Sequence, residues 1–150
     1  MNFKHTFPVQ LRFSDVDQLG HVNNSVYFSL YDLAKTTYMK AVQADGIDYG
    51  RVSMVVANIN ANFFAPVFFN DPLAIQTAAV HLGHKSFVLY QRAINPHTGE
   101  VKCECRTVMV AFDVQSQQAI AIPQSWKEAI SRYEGCTVEE LSQEKPTEKA

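Results

Sequence analysis

Asp15, Asp17, Gly20, His21, Asn23 and Asn24 crowd the run Arg12-Phe-Ser-Asp15-Val-Asp17-Gln-Leu-Gly20-His21-Val-Asn23-Asn24-Ser25-Val-Tyr27. A carboxylate can take a proton from water or attack an electrophilic carbon itself. Asn23, Asn24 and Ser25 are good N-cap residues, because their side-chain oxygens accept from free backbone N–H groups of a first helical turn. The first turn of a helix presents unpaired N–H donors and roughly half a positive charge. A carbonyl oxygen placed there would be polarised, and negative charge developing on it would be stabilised as in an oxyanion hole. Gly20 lets backbone approach a ligand closely. Asp17 beside such a helix start therefore suits attack on a carbonyl compound. Taken by themselves, Asp and Asn before a helix are more often simple caps and turn formers. No phosphate loop is indicated, since Gly20 stands alone without a following lysine at the required place.

The helix itself is predicted from Val26 to Val42, with Gly46 as its stop. Val26, Tyr27, Leu30, Leu33, Ala34, Tyr38 and Ala41 recur at three- and four-residue steps, and Phe28, Tyr31 and Met39 add apolar surface on other sides. A helix apolar over most of its circumference is a buried one. Around it the sequence predicts strands. His5 to Ser14 alternates Phe7, Val9, Leu11 and Phe13, and Ala57 to Phe63 sets Asn58, Asn60 and Asn62 on one face against Ala57, Ile59, Ala61 and Phe63. Leu73 to Leu82 and Ser86 to Ile94 are joined by a Gly83-His-Lys85 hairpin, and Glu100 to Val114 follows Asn95-Pro-His-Thr-Gly99. Pro123 to Arg132 reads as a short helix. The fold class is α+β, with a curved antiparallel sheet of about five strands wrapped around one long central helix. One domain spans residues 1–134, and the polar segment 135–150 reads as a flexible tail.

Composition narrows the partners. The chain has 150 residues, 47% hydrophobic and 19% charged, which suits one soluble globular domain. A net charge of -2 gives no reason to expect a nucleic-acid binder, and no apolar run spans a membrane or resembles a signal peptide, so the expected compartment is the cytoplasm. Cys103, Cys105 and Cys136 have no framework spacing and are expected as free thiols. Cys103-x-Cys105 lacks further ligands at metal spacing and the hairpin pair His81 and His84 has no carboxylate partner nearby, so no metal is expected, and no cofactor is expected either. Strands apolar on both faces, such as Val108 to Phe112, call for a second subunit.

Asp17-x-x-Gly20-His21-Val22-Asn23-Asn24-x-x-Tyr27, preceded by Arg12 and Asp15, closely resembles the signature of the 4-hydroxybenzoyl-CoA thioesterase family of hotdog-fold enzymes. Asp32 and Lys35 in the helix, Phe63-x-x-Pro66, Asp71-Pro-Leu73 and Gly83-x-x-Ser86 resemble later landmarks, so the likeness spans residues 5–133. The resemblance implies a homodimer or homotetramer with active sites at the subunit interface, hydrolysing acyl-CoA to free acid and CoA. Asp17 matches the carboxylate that acts as nucleophile or general base. The backbone N–H of Asn24 matches the group polarising the thioester carbonyl, although some relatives carry His or Tyr at that position. His21 either shapes the site or packs as a loop histidine. Asp15 is expected to be structural, paired with Arg12. Gly83 to Ser86 resembles the segment along the pantetheine arm, and Lys85 either meets a CoA phosphate or is a solvated hairpin lysine. Arg92 and Arg106 are weaker phosphate candidates. Tyr27, Tyr31 and Phe63 read as core with the acyl group beside them, and Asn58 or Asn60 as an exposed face or a reach into the acyl pocket from a partner subunit. The competing readings are an acyl-carrier-protein thioesterase, a catalytically silent acyl-CoA-binding module and, ranked last, a hydratase on the same fold, which would require a different Asp/His pair. The sequence does not name the acyl group or decide between dimer and tetramer.

Overall fold

The computed structural model describes residues 2–43 and 51–143. In chain order it holds β1 (His5–Val9), a single 3-10 turn (Phe13–Asp15), α1 (Asn24–Gln43), β2 (Val52–Phe63), β3 (Leu73–Leu82), β4 (Ser86–Ile94), β5 (Val101–Asp113), β6 (Gln118–Ala119), α2 (Gln124–Glu134) and α3 (Val138–Ser142). The strands form one antiparallel sheet in the order β1-β3-β4-β5-β2, with β6 added to β5. This is the curved sheet around a helix that the sequence implied, with six strands where about five were expected.

Alternation explains which face carries the core. On β4 and β5, Phe87, Leu89, Gln91, Ala93, Cys103, Cys105, Thr107, Met109 and Ala111 are all buried, while Tyr90, Arg92, Lys102, Glu104 and Arg106 take the other parity. The buried face receives α1, whose two halves serve two clusters. Tyr27, Tyr31 and Ala34 pack with Leu73, Ile75, Ala93, Cys103 and Cys105. Tyr38, Met39 and Val42 pack with Leu82, Phe87, Leu89 and Met109, and with Trp126, Ala129 and Ile130 of α2. Each large apolar side chain taken fully out of water contributes about 1.5–3 kcal/mol, so α1 is held mainly by this contact and not by helix propensity. Between the clusters, the buried Gln91 Nε2 donates to the Tyr31 carbonyl at 3.1 Å and to Thr77 Oγ1 at 3.0 Å. That pair fixes the height of the helix over the sheet.

Three expectations are revised. The first strand ends at Val9, and Phe13 sits on the 3-10 turn at 84% exposure, because Asp15 bends the chain back onto Arg12. Helix α1 begins at Asn24, and the proposed stop at Gly46 lies outside the described residues. Within the segment 135–150, read as a loose tail, α3 forms over Val138–Ser142, and residues 144–150 lie outside the described residues. There Thr137 Oγ1 accepts the Glu140 N–H at 3.0 Å, Glu140 returns the bond to the Thr137 N–H at 2.9 Å, and Leu141 is buried in the core. A capping box with one buried leucine holds that turn against α2 and β3.

Candidate active site

The loop between the 3-10 turn and α1 is a small closed unit. The Asp17 N–H donates to the His21 carbonyl at 2.9 Å, the Gly20 N–H donates to the Asp17 carbonyl at 2.9 Å, and Val16 bridges Val22. Gly20 has φ of 82°, a left-handed conformation that suits glycine and lets the turn close. The Leu19 N–H donates to Asp17 Oδ1 at 2.9 Å. One oxygen of the Asp17 carboxylate is thus held by backbone, while Oδ2 has no hydrogen bond among the described residues. The side chain stays exposed.

The loop is docked from two sides. Asp15 is buried, its carboxylate accepting the Arg12 N–H at 2.8 Å and the Arg12 guanidinium at 2.9 Å. Burial acts to raise the Asp15 pKa, but the Arg12 hydrogen bonds and charge more than offset it, so the group sits below its ordinary value. The Val22 N–H donates to the Val67 carbonyl at 2.7 Å, and His21 bridges Phe68 with the two rings edge-on at 5.1 Å. The segment supplying those contacts is itself tied by Asp71, whose Oδ2 accepts the Phe68 N–H at 2.9 Å. His21 therefore has an aromatic and backbone role in seating the loop.

At the helix start, Asn23 Oδ1 accepts the Ser25 N–H, and Asn23 is the capping residue. Asn24 becomes the first helical residue, where its N–H has no carbonyl of the helix to bond. A cavity of about 450 Å³ opens here, lined by Asp17, His21 and Asn24 on one side and by Tyr27 and Phe63 to Pro66 on the other. The Tyr27 and Phe63 rings meet at 5.6 Å, and Tyr31 follows 6.2 Å behind Tyr27. Burial raises the Tyr27 and Tyr31 hydroxyl pKa values, with a smaller push from Cys103, so both remain protonated. The site thus places a carboxylate, the Asn24 N–H at the helix start and an aromatic wall around one open cavity.

Of the residues singled out from the sequence, Asp17, Gly20, His21, Asn24, Tyr27 and Phe63 come together here. Asn60, Gly83, Lys85 and Ser86 do not. Asn60 pairs with Arg106 on the sheet face opposite the helix, because Asn58, Asn60 and Asn62 share one parity of β2 and Phe63 has the other. The Gly83 to Ser86 hairpin lies at the far end of β3, about 25 Å from the Ile75 level at ~3.3 Å per residue. It packs on β5 and on the approach to α2, through Lys85 O with Ala111 N–H at 3.0 Å and His84 O with Ile122 N–H at 2.9 Å. Leu19 and Phe64 line the cavity and were not singled out; only the run Phe63-Phe64 before Pro66 hinted at them. Among the described residues no group of three or more His, Cys, Asp or Glu is placed to hold a metal ion.

The model of the thioesterase-like superfamily matches residues 11–130, and the chain belongs to that family. The acyl-CoA thioester hydrolase YbgC of Escherichia coli O6:H1 is 26% identical over 121 residues, covering 79% of this chain and 90% of that protein. Among solved structures, the PA5185 protein of Pseudomonas aeruginosa PAO1 superposes with a TM-score of 0.78 at 28% identity, over 88% of this chain and 92% of that one. A thioesterase of Thermus thermophilus, complexed with coenzyme A and Zn, gives a TM-score of 0.76 at 28% identity, over 89% and 96% of the two chains. The fold is the hotdog fold.

Proposed function

We propose that this member of the thioesterase-like superfamily hydrolyses acyl-CoA thioesters to the free acid and CoA. The observation that carries the reading is the shared cavity of the Asp17 carboxylate and the Asn24 end of α1. The relatives' named activity and the coenzyme A complex of a structural neighbour support the substrate class.

In this mechanism the thioester carbonyl oxygen rests on the Asn24 N–H, which with the helix dipole stabilises the negative charge as the carbon becomes tetrahedral. Asp17 takes the proton of the attacking water, the tetrahedral carbon expels sulfur with the electron pair of the carbon–sulfur bond, and the proton held by Asp17 restores the CoA thiol. Alternatively, Asp17 attacks the carbonyl carbon, the carbon–sulfur bond breaks to leave an acyl–Asp17 anhydride and the CoA thiolate, and water then hydrolyses the anhydride and supplies the thiol proton. Tyr27 and Phe63 receive the acyl side.

The active form is a homodimer or a dimer of dimers, with its sites at the interface. Strand β2 closes one edge of the sheet and exposes Val55 at 42%, Val56 at 43% and Ile59 at 38%. An exposed apolar edge strand is a ready surface for pairing. The cavity lies beside the same strand's end at Phe63. Asn60, Gly83, Lys85 and Ser86 could serve a site only from a second copy.

Free-thiol release from short, medium, long and aromatic acyl-CoAs, with Asp17→Asn alongside, tests this. Hydrolysis by wild type that the variant loses by about 10²-fold or more, with binding kept, is the expected result. Acyl-CoA that binds but is never cleaved would sink the hydrolase reading and leave a binding module. Cleavage confined to carrier-protein thioesters would move the substrate class.

A further inference from the structure

We propose that Asp15 is a positioning residue for this site, setting the Asp17 carboxylate against the Asn24 amide without touching substrate. The proposal rests on the thioester hydrolase reading.

Asp15 is 2% exposed, and both its oxygens are committed within the chain, so it has no face to offer a ligand. What it controls is the closure of the catalytic loop. Its carbonyl accepts the Asn23 N–H at 3.1 Å, and Asn23 in turn caps α1 and accepts the Val26 N–H at 2.9 Å. The next residue, Val16, bridges Val22, and from there the chain makes the Asp17 to His21 turn. Both ends of the loop therefore meet at Asp15. Asp17 sits two residues after that junction, and the Asn24 N–H sits one residue after the bonded Asn23. A tilt of the Asp15 peptide would move the carboxylate and the helix end relative to each other. Misplacement by about 1 Å can cost on the order of 10²-fold in rate.

The two Arg12 contacts differ in consequence. The Arg12 side chain is 76% exposed, so water can replace the guanidinium. The Arg12 N–H bonded to Oδ2 at 2.8 Å holds the 3-10 turn against a buried group, and its loss leaves a donor unpaired. An amide at position 15 can keep that bond through its own carbonyl oxygen, and methyl cannot.

The test compares Asp15→Ala, Asp15→Asn and Arg12→Ala for kcat and KM on the best acyl-CoA, with amide hydrogen exchange at Asn23 and Asn24. Asp15→Ala is expected to lower kcat about 10- to 100-fold with KM within about twofold, and to speed exchange at both amides. Asp15→Asn recovers most of kcat, and Arg12→Ala stays near wild type. Asp15→Asn as inactive as Asp15→Ala, or a folded Asp15→Ala with wild-type kcat and exchange, overturns the proposal. If Asp15→Ala does not fold, the Asp15→Asn and Arg12→Ala pair decides it on the same readouts. If wild type cleaves no acyl-CoA, the functional reading fails by itself, and the exchange rates at Asn23 and Asn24 still decide whether Asp15 holds the loop to the helix.

Discussion

Asn23 Oδ1 accepts both the backbone N–H of Ser25, at 2.9 Å, and the Ser25 hydroxyl, at 2.7 Å. One side chain thereby caps α1 and decides which amide of the first turn stays free. Among the described residues, the amide left without a hydrogen bond there is that of Asn24, on the wall of the cavity that Asp17 shares.

Replacing Asn23 by alanine removes this cap. The expected cost is about 1 kcal/mol of stability, read from the shift of the urea midpoint at unchanged m-value. The rate of thioester cleavage should fall as well, because a frayed first turn no longer presents a fixed donor. Asn23→Asp keeps an acceptor at the same place and should retain most of both. Equal losses in the two variants would show that the cap does not support the site.

The contrast between the halves of the chain shows what the sequence exposed and why. Period-two alternation from Ala57 to Phe63 and through Val101–Asp113 reports a real difference between the two sheet faces, so β2 and β5 were legible. The site loop was legible for another reason: the cap and turn residues are local, and Asp17, Gly20 and Asn23 act on neighbours within a few positions. Placement across the sheet was not. Nothing near Gly83 or Lys85 indicates that their hairpin lies at the end of β3 away from Asp17, since that follows from strand length and pairing. The short helix α3 was readable in principle. Its Thr137-x-x-Glu140 pattern is a capping box, set in a stretch whose polar composition favours a disordered tail.

Gly20 supplies a second check on the loop. Its φ is 82°, and a Cβ built there would meet nothing within 4 Å, so substitution meets no steric contact. The penalty of Gly20→Ala is conformational alone, about 1–2 kcal/mol for a left-handed alanine. That strain falls on the turn joining Asp17 to His21. Thermal unfolding should show a modest loss, and kcat a larger fractional one than KM. An alanine variant with unchanged kcat would mean that the turn can relax without moving Asp17.

The Arg51–Asp113 pair sets an acid limit away from the site. Hydrogen bonding from Arg51, at 3.1 Å to each carboxylate oxygen, outweighs the cost of burial, and the Gln115 N–H and Ser116 hydroxyl assist. The Asp113 pKa is held down to about 2. Its unfolded value is about 3.9, so the stability it contributes is present above pH ~4 and is lost as the pH falls toward 2. Asp113→Asn should therefore melt below wild type at neutral pH, with the gap closing over that window. A gap that stays constant from pH 6 to pH 2 would assign the loss to packing and not to the charge.

The cysteines test the inner face of the sheet. Cys103 and Cys105 are 0% and 1% exposed beneath α1, whereas Cys136 is half-buried beyond α2. Burial pushes the Cys103 thiol up to about 11 and raises Cys105 too, so neither is a thiolate at neutral pH, and only the thiolate reacts readily. Alkylation at pH 8 should modify Cys136 in the folded protein and reach Cys103 and Cys105 only with denaturant, which mass spectrometry of the labelled peptides resolves. Because the folded Cys103 pKa is raised, its contribution to stability is complete below pH ~8.5 and is lost as the pH climbs toward 11. Labelling of Cys103 as fast as Cys136 in native buffer would mean that α1 lifts from the sheet at Tyr31. The aromatic wall of the cavity would then be mobile on the labelling timescale, and the site could not hold the fixed geometry argued for Asp17 and Asn24.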